Sequence, residues 1–154
     1  MALSVLFSDE FYVAVNKPNG LLVHKTRIAA DATEFALQMV RNQTGRQVYP
    51  VHRLDRGTSG VLVFAFSPSA HALLSACFEN RQVQKHYLAI VRGFAPQSGT
   101  IDIPLEQGSS NLPARQATTL YQRLAMAELP YAVGPYPTAR YSLVAVQPLT
   151  GRMH

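Results

Sequence analysis

Two short apolar runs open the chain, Val5-Leu-Phe7 and Phe11-Tyr-Val-Ala-Val15, with Ser8-Asp9-Glu10 between them. Strand-length runs separated by a tight polar turn predict a hairpin. Asn16-Lys17-Pro18-Asn19-Gly20 clusters turn formers behind it, and Leu21-Leu-Val-His-Lys25 predicts a short extended piece. A helix is expected from about Ala32 to Thr44. Asp31 suits its N-cap, Glu34 would close a capping box, and Phe35, Met39 and Val40 share one face. Gly45 then stands where a helix commonly ends. The run Val61-Leu-Val-Phe-Ala-Phe66, entered through Gly57-Thr-Ser-Gly60, reads as a buried strand. Ser67 and Pro68 follow as N-cap and first residue of a second helix, ending at Asn80 or Arg81. Its apolar stripe is Ala70, Leu73, Leu74, Cys77 and Phe78.

Gln84 to Gly93 is a further strand, with alternation weak enough to predict cover on both faces. Thr100 to Leu105, Ala117 to Leu124 and Ala139 to Val146 are three more. Glu106 to Gln116 reads as a loop, and Pro130 to Pro137 is too rich in proline for regular structure. Thr150-Gly-Arg152 looks like the start of a new turn or helix. Helices and strands are mixed, and successive strands are often joined without helices, so the expected class is α+β.

Composition narrows the setting. At 154 residues and 47% hydrophobic, the chain is expected to be one globular domain spanning 1–154. Fourteen Lys and Arg against nine Asp and Glu give +5, which favours a polyanionic partner, nucleic acid before membrane. The single Cys77 excludes an internal disulfide framework and is expected as a buried core thiol in a reducing cytoplasm. No run approaches the roughly 18 apolar residues of a membrane helix, and the first residues lack the pattern of a secretory signal. A cytoplasmic location is the expectation.

The stretch Val51-His-Arg-Leu-Asp-Arg-Gly-Thr-Ser-Gly60 holds the chemistry of interest. Asp55 lies between Arg53 and Arg56 on a loop fixed by the strand that follows. Flanking guanidiniums would keep a carboxylate ionised, as a nucleophile requires. On this stretch alone, an ordinary ion pair on a solvated turn carries more weight. Other chemistry is absent from the pattern. There is no glycine-rich phosphate cradle, no Gly-x-Ser-x-Gly elbow and no metal-ligand spacing among the five histidines. His71 is expected to be a partly exposed helix residue, and Lys17, closing a strand, a solvated one, with a phosphate contact as the alternative. Lys85-His-Tyr87 and Arg140-Tyr141 pair cations with aromatics, which suits stacking on unpaired bases, although strand tyrosines more often serve the sheet.

Four segments in order resemble the motifs of the pseudouridine synthases that modify ribosomal and transfer RNA, the group named for ribosomal large-subunit synthase A. They are Val15 to His24, His52 to Gly60, Lys85-His-Tyr-Leu-Ala89 and Thr150-Gly-Arg-Met-His154. Gly134 to Tyr141 further resembles the branch acting on uridine 65 of tRNA. The resemblance implies a mixed, mostly antiparallel sheet with flanking helices. It implies isomerisation of uridine to pseudouridine, without cofactor or metal, by a protein expected to be a monomer. Asp55 would be catalytic, attacking C1′ or removing a C2′ proton. Tyr87 would stack on the target uracil, Arg53 would fill the space of the extruded base, and Arg152 would contact RNA.

In that family the fourth motif continues with Gln, an aliphatic residue and a basic residue that pairs with the catalytic aspartate. Nothing follows His154 here. The chain is therefore expected to be truncated at its C-terminus, with the sheet incomplete. Ribosomal RNA is the runner-up substrate, and a non-catalytic RNA-binding fragment the alternative in kind.

Overall fold

The computed structural model of the protein describes residues 2–24, 34–106 and 113–151. The chain divides into two compact units, Met1–Gln82 and Val83–His154. Both are built on antiparallel sheets, the first with two helices, so the class is α+β as expected.

In the first unit, β1 (Ser4–Ser8) and β2 (Tyr12–Lys17) form the predicted hairpin. Asp9 makes its turn, its Oδ1 accepting from the backbone N–H groups of Phe11 and Tyr12 at 2.8 and 2.6 Å. Helix α1 (Ala36–Thr44), the two-residue β3 (Tyr49–Pro50), β4 (Gly60–Ala65) and α2 (Pro68–Glu79) follow. The sheet order is β1-β2-β4-β3, which makes β4 a central strand. Leu62, Phe64 and Ala65 of β4 are fully buried with Val13 and Val15 of β2. Under the sheet, Val51, Ala65 and Ala70 form a core against which Tyr12, Tyr49, Leu74 and Phe78 pack.

Helix α1 starts later than its sequence suggested. Phe35 is the N-cap, in extended conformation and without a side-chain cap. The backbone carbonyls of Leu22 and Val23 accept from Ala36 and Leu37 at 2.8 and 3.0 Å, doing the work of a capping side chain. Asp31, the expected cap, lies outside the described residues. Gly45 ends the helix as expected, with φ 66°. Helix α2 keeps its predicted start, Ala70 N–H donating to Ser67 Oγ at 3.2 Å. Its buried stripe is narrower than predicted. Leu73 is 70% exposed and Cys77 half-buried, while Ala70, Leu74 and Phe78 belong to the core beneath the sheet.

In the second unit, β5 (Tyr87–Arg92), β6 (Ser98–Leu105), β7 (Arg115–Leu129) and β8 (Ala139–Pro148) pair in the order β5-β8-β7-β6. Strand β7 runs past its expected end at Leu124. A bulge between Arg123 and Ala125 lets Ala125-Met-Ala-Glu-Leu129 continue along β8. Those residues favour helix in isolation, and the paired edge of β8 overrides them. Pro130 to Pro137 forms the irregular connection expected of it, closed by a bridge between Val133 and Tyr136. Strand β5 is not covered on both faces: Leu88 is 69% and Ile90 74% exposed. On that side a groove of about 380 Å³ opens, lined by Ile90, Ala125, Met126, Ala127, Leu129, Tyr131, Tyr141 and Leu143. Among the described residues no helix is long and apolar enough to cross a membrane.

Candidate active site

The loop between β3 and β4 leaves the sheet with Val51 and Leu54 buried and Arg53, Asp55 and Arg56 exposed. Two apolar anchors in four residues leave the polar side chains no direction but outward. Thr58 N–H donates to the Asp55 carbonyl at 3.0 Å and closes the turn. Arg53 Nη2 lies 3.5 Å from Asp55 Oδ1, with the side chains 53% and 55% exposed. An exposed pair at that distance is held weakly. Arg56 does not flank the carboxylate as its position suggested. Its Nε donates instead to the Gly20 carbonyl at 3.2 Å.

That contact belongs to a second structure, which the sequence had shown only as a turn. Lys17 is fully buried at the end of β2, not solvated. Its Nζ donates to the carbonyls of Pro18, Leu21 and Arg56 at 3.0, 2.7 and 3.4 Å. Gly20 N–H donates to the Arg56 carbonyl at 2.8 Å, and Asn19 Nδ2 to the Gly57 carbonyl at 2.8 Å. Gly20 can turn there because its φ of 85° suits glycine. Burial pushes the Lys17 ammonium below its usual pKa, and the nearby Asp55 carboxylate pulls it back up. The turn after β2 is thus stapled to the residues just beyond Asp55, and the ammonium is the largest single fastening.

His52 holds the other side. Its Nε2 accepts the Val63 N–H at 3.1 Å, and its ring stacks on Phe78 at 4.8 Å and 16°. Burial lowers the imidazole pKa, while a hydrogen bond with the backbone of Arg53 raises it. A narrow cleft beside this loop is lined by Leu22, Val23, His24, Arg53, Leu54 and Arg56.

Arg53 and Asp55 are therefore brought together in the first unit. Tyr87 opens β5 in the second, half-buried with its Cα opposite Val146. Arg152 lies outside the described residues. Lys17, Asn19 and His52 are the contributors that sequence reasoning passed over. Their signal was their place in Val15 to His24 and His52 to Gly60, two turn-rich segments that resemble family motifs, which assigned them no role. Among the described residues no group of three or more His, Cys, Asp or Glu side chains is placed to hold a metal ion.

The model of the RNA pseudouridylate synthase family matches residues 11–154, through both units. The chain belongs to this family. It is 47% identical to tRNA pseudouridine synthase C of Haemophilus ducreyi over 162 residues, covering 100% of the chain and 67% of that protein. With tRNA pseudouridine synthase C of Pasteurella multocida the identity is 48% over 163 residues, with the same coverage. Two solved structures are similar as well. Human RNA pseudouridylate synthase domain containing 1 gives a TM-score of 0.75 at 25% identity, over 97% of this chain and 60% of that one. Human RNA pseudouridylate synthase domain containing 4 gives 0.67 at 28%, over 96% and 59%. The chain thus spans about two thirds of the curated relatives and about three fifths of the solved ones.

Proposed function

We propose that this pseudouridylate synthase family member isomerises uridine to pseudouridine in tRNA, at uridine 65, with Asp55 as the catalytic residue. The observation that carries the reading is an exposed carboxylate on a loop whose backbone is fastened from both sides. A macromolecular substrate can reach such a group, and the group does not have to be ordered at the moment of reaction. The identity of nearly half the residues with two tRNA pseudouridine synthases C supports tRNA over ribosomal RNA.

The reaction breaks the N1–C1′ bond, turns the freed uracil and joins C5 to C1′, the C5 proton being lost and N1 gaining one. Atoms balance without a cofactor. Asp55 acts on the sugar, attacking C1′ or taking the C2′ proton. The glycosidic bond is closed off within a stacked helix, so the base must leave the stack at a cost of a few kcal/mol. Arg53, exposed beside Asp55, fills the vacated space, and Tyr87 stacks on the uracil. Arg152 contacts the RNA backbone. The +5 charge of the chain favours phosphate contacts that offset extrusion. Residues 1–154 belong to one catalytic domain, a reading supported by the family match over residues 11–154, and the proposed protein is a cytoplasmic monomer.

Incubation with unmodified tRNA and with ribosomal RNA fragments, followed by site mapping, tests this. One pseudouridine at position 65 of tRNA is expected. Product confined to ribosomal RNA would reassign the substrate. Salt-sensitive binding without product on either RNA would make the chain an RNA-binding module.

A further inference from the structure

The antiparallel ladder between β3 and β4 stops half-way through a pair. Tyr49 and Pro50 oppose Ala65 and Phe64, and Val51 N–H donates to the Val63 carbonyl at 3.1 Å. In a regular ladder Val51 and Val63 would exchange both bonds, the Val63 N–H going to the Val51 carbonyl. Here it goes to His52 Nε2. The imidazole stands in for a strand carbonyl, so the chain can turn out of the sheet at His52 without leaving a central-strand N–H unpaired.

We propose that His52 is a positioning residue: its ring ends the β3–β4 ladder in place of a backbone carbonyl and so fixes where Arg53, Leu54 and Asp55 leave the sheet. Three restraints converge on the ring. Val63 holds Nε2, the backbone of Arg53 bonds to it, and Phe78 of α2 lies flat against it at 4.8 Å. A bond accepted at Nε2 requires that nitrogen to be bare, so the ring is neutral with its proton on Nδ1. Burial, which pushes the imidazole pKa down, favours the same form. Lys17 fastens the loop beyond Asp55 and His52 fastens it before. The two fastenings are independent, since they share no hydrogen-bond partner in the distances given above.

The inference rests on the reading of Asp55 above, and its test separates the two. Nitrogen-15 NMR of the wild-type chain at neutral pH should show His52 with Nδ1 protonated and Nε2 bare; an Nε2-protonated ring would overturn the proposal. His52→Leu keeps bulk and loses the acceptor, whereas His52→Gln offers an amide oxygen at similar reach. In His52→Leu the Thr58 amide should exchange faster while that of Leu62 keeps its protection, and His52→Gln should restore the wild-type pattern. Pseudouridine formation should follow, with kcat about 10- to 100-fold lower in His52→Leu, KM for tRNA within about twofold, and most of kcat recovered in His52→Gln. Unchanged Thr58 exchange in a folded His52→Leu chain would overturn the proposal. So would equal losses in the Leu and Gln variants. Tautomer and exchange report on the clasp even if no RNA is modified, in which case the reading of Asp55 fails alone.

Discussion

Strand β4 of the first unit and β5 of the second are each six residues of mostly apolar sequence, Gly-Val-Leu-Val-Phe-Ala and Tyr-Leu-Ala-Ile-Val-Arg. Their burial is opposite. Leu62, Phe64 and Ala65 are sealed, while Leu88 and Ile90 are largely open to solvent. Strand β4 has partners on both sides and a helix packed beneath; β5 is an edge strand of its sheet, and Ile90 lies on a groove. Apolar content thus places a strand in a sheet, and position in the sheet decides what it buries. For the candidate site the consequence is direct. Asp55 rises from the loop that feeds the buried strand, so its placement inherits the rigidity of that core.

The contrast can be broken by substitution. Phe64→Ala should lower stability the most, by about 3–5 kcal/mol for a large buried side chain removed from a packed site. Denaturant unfolding followed in the first unit would read it. A loss under about 1 kcal/mol would mean that β4 is not the core strand described. Lys17→Met should come next, at about 2–3 kcal/mol. It strips three carbonyls of a charged donor, and relief from burying the ammonium offsets part of the loss. Amide exchange at Thr58 should rise in the same variant, and an unchanged rate would deny the staple its role. Ile90→Ser should change least, within about 0.5 kcal/mol, as substitutions at exposed sites do. Binding of an apolar dye should fall, because contiguous exposed apolar surface is what such dyes report. A large destabilisation there would show that the groove face is covered in solution.

The hairpin, both helices, the run into β4 and the α+β class were legible in the sequence because each rests on local pattern: alternation, a turn cluster, a cap. Where tertiary partners decide, the pattern misled. Helix α1 takes its cap from the carbonyls of Leu22 and Val23, which no spacing rule announces. The extension of β7 to Leu129 depends on β8, whose pairing residues follow within twenty positions in the sequence (Ala125 opposite Leu143, Leu129 opposite Ala139) but are invisible to propensity. In the site, Asp55 stood out by its neighbours and its likeness to a family motif. Lys17 and His52 lie in the same family-like segments, but the resemblance gave them no role. A lysine closing a strand and a histidine among five scattered ones have meaning only once three carbonyls and one orphaned N–H are known to surround them.

Asp55 is the proposed catalytic group, and one substitution isolates its charge. Asp55→Asn keeps the shape of the side chain and removes its charge. The turn should survive, since its closing bond is to the Asp55 backbone carbonyl. Pseudouridine formed in tRNA by the wild-type chain should fall by more than about 10³-fold in Asp55→Asn, over about 4 kcal/mol of transition-state stabilisation. Affinity for the same tRNA should stay within about threefold, since one exposed carboxylate adds little to binding a polyanion. Retention of more than about a tenth of the wild-type rate would contradict the claim that Asp55 performs the chemistry.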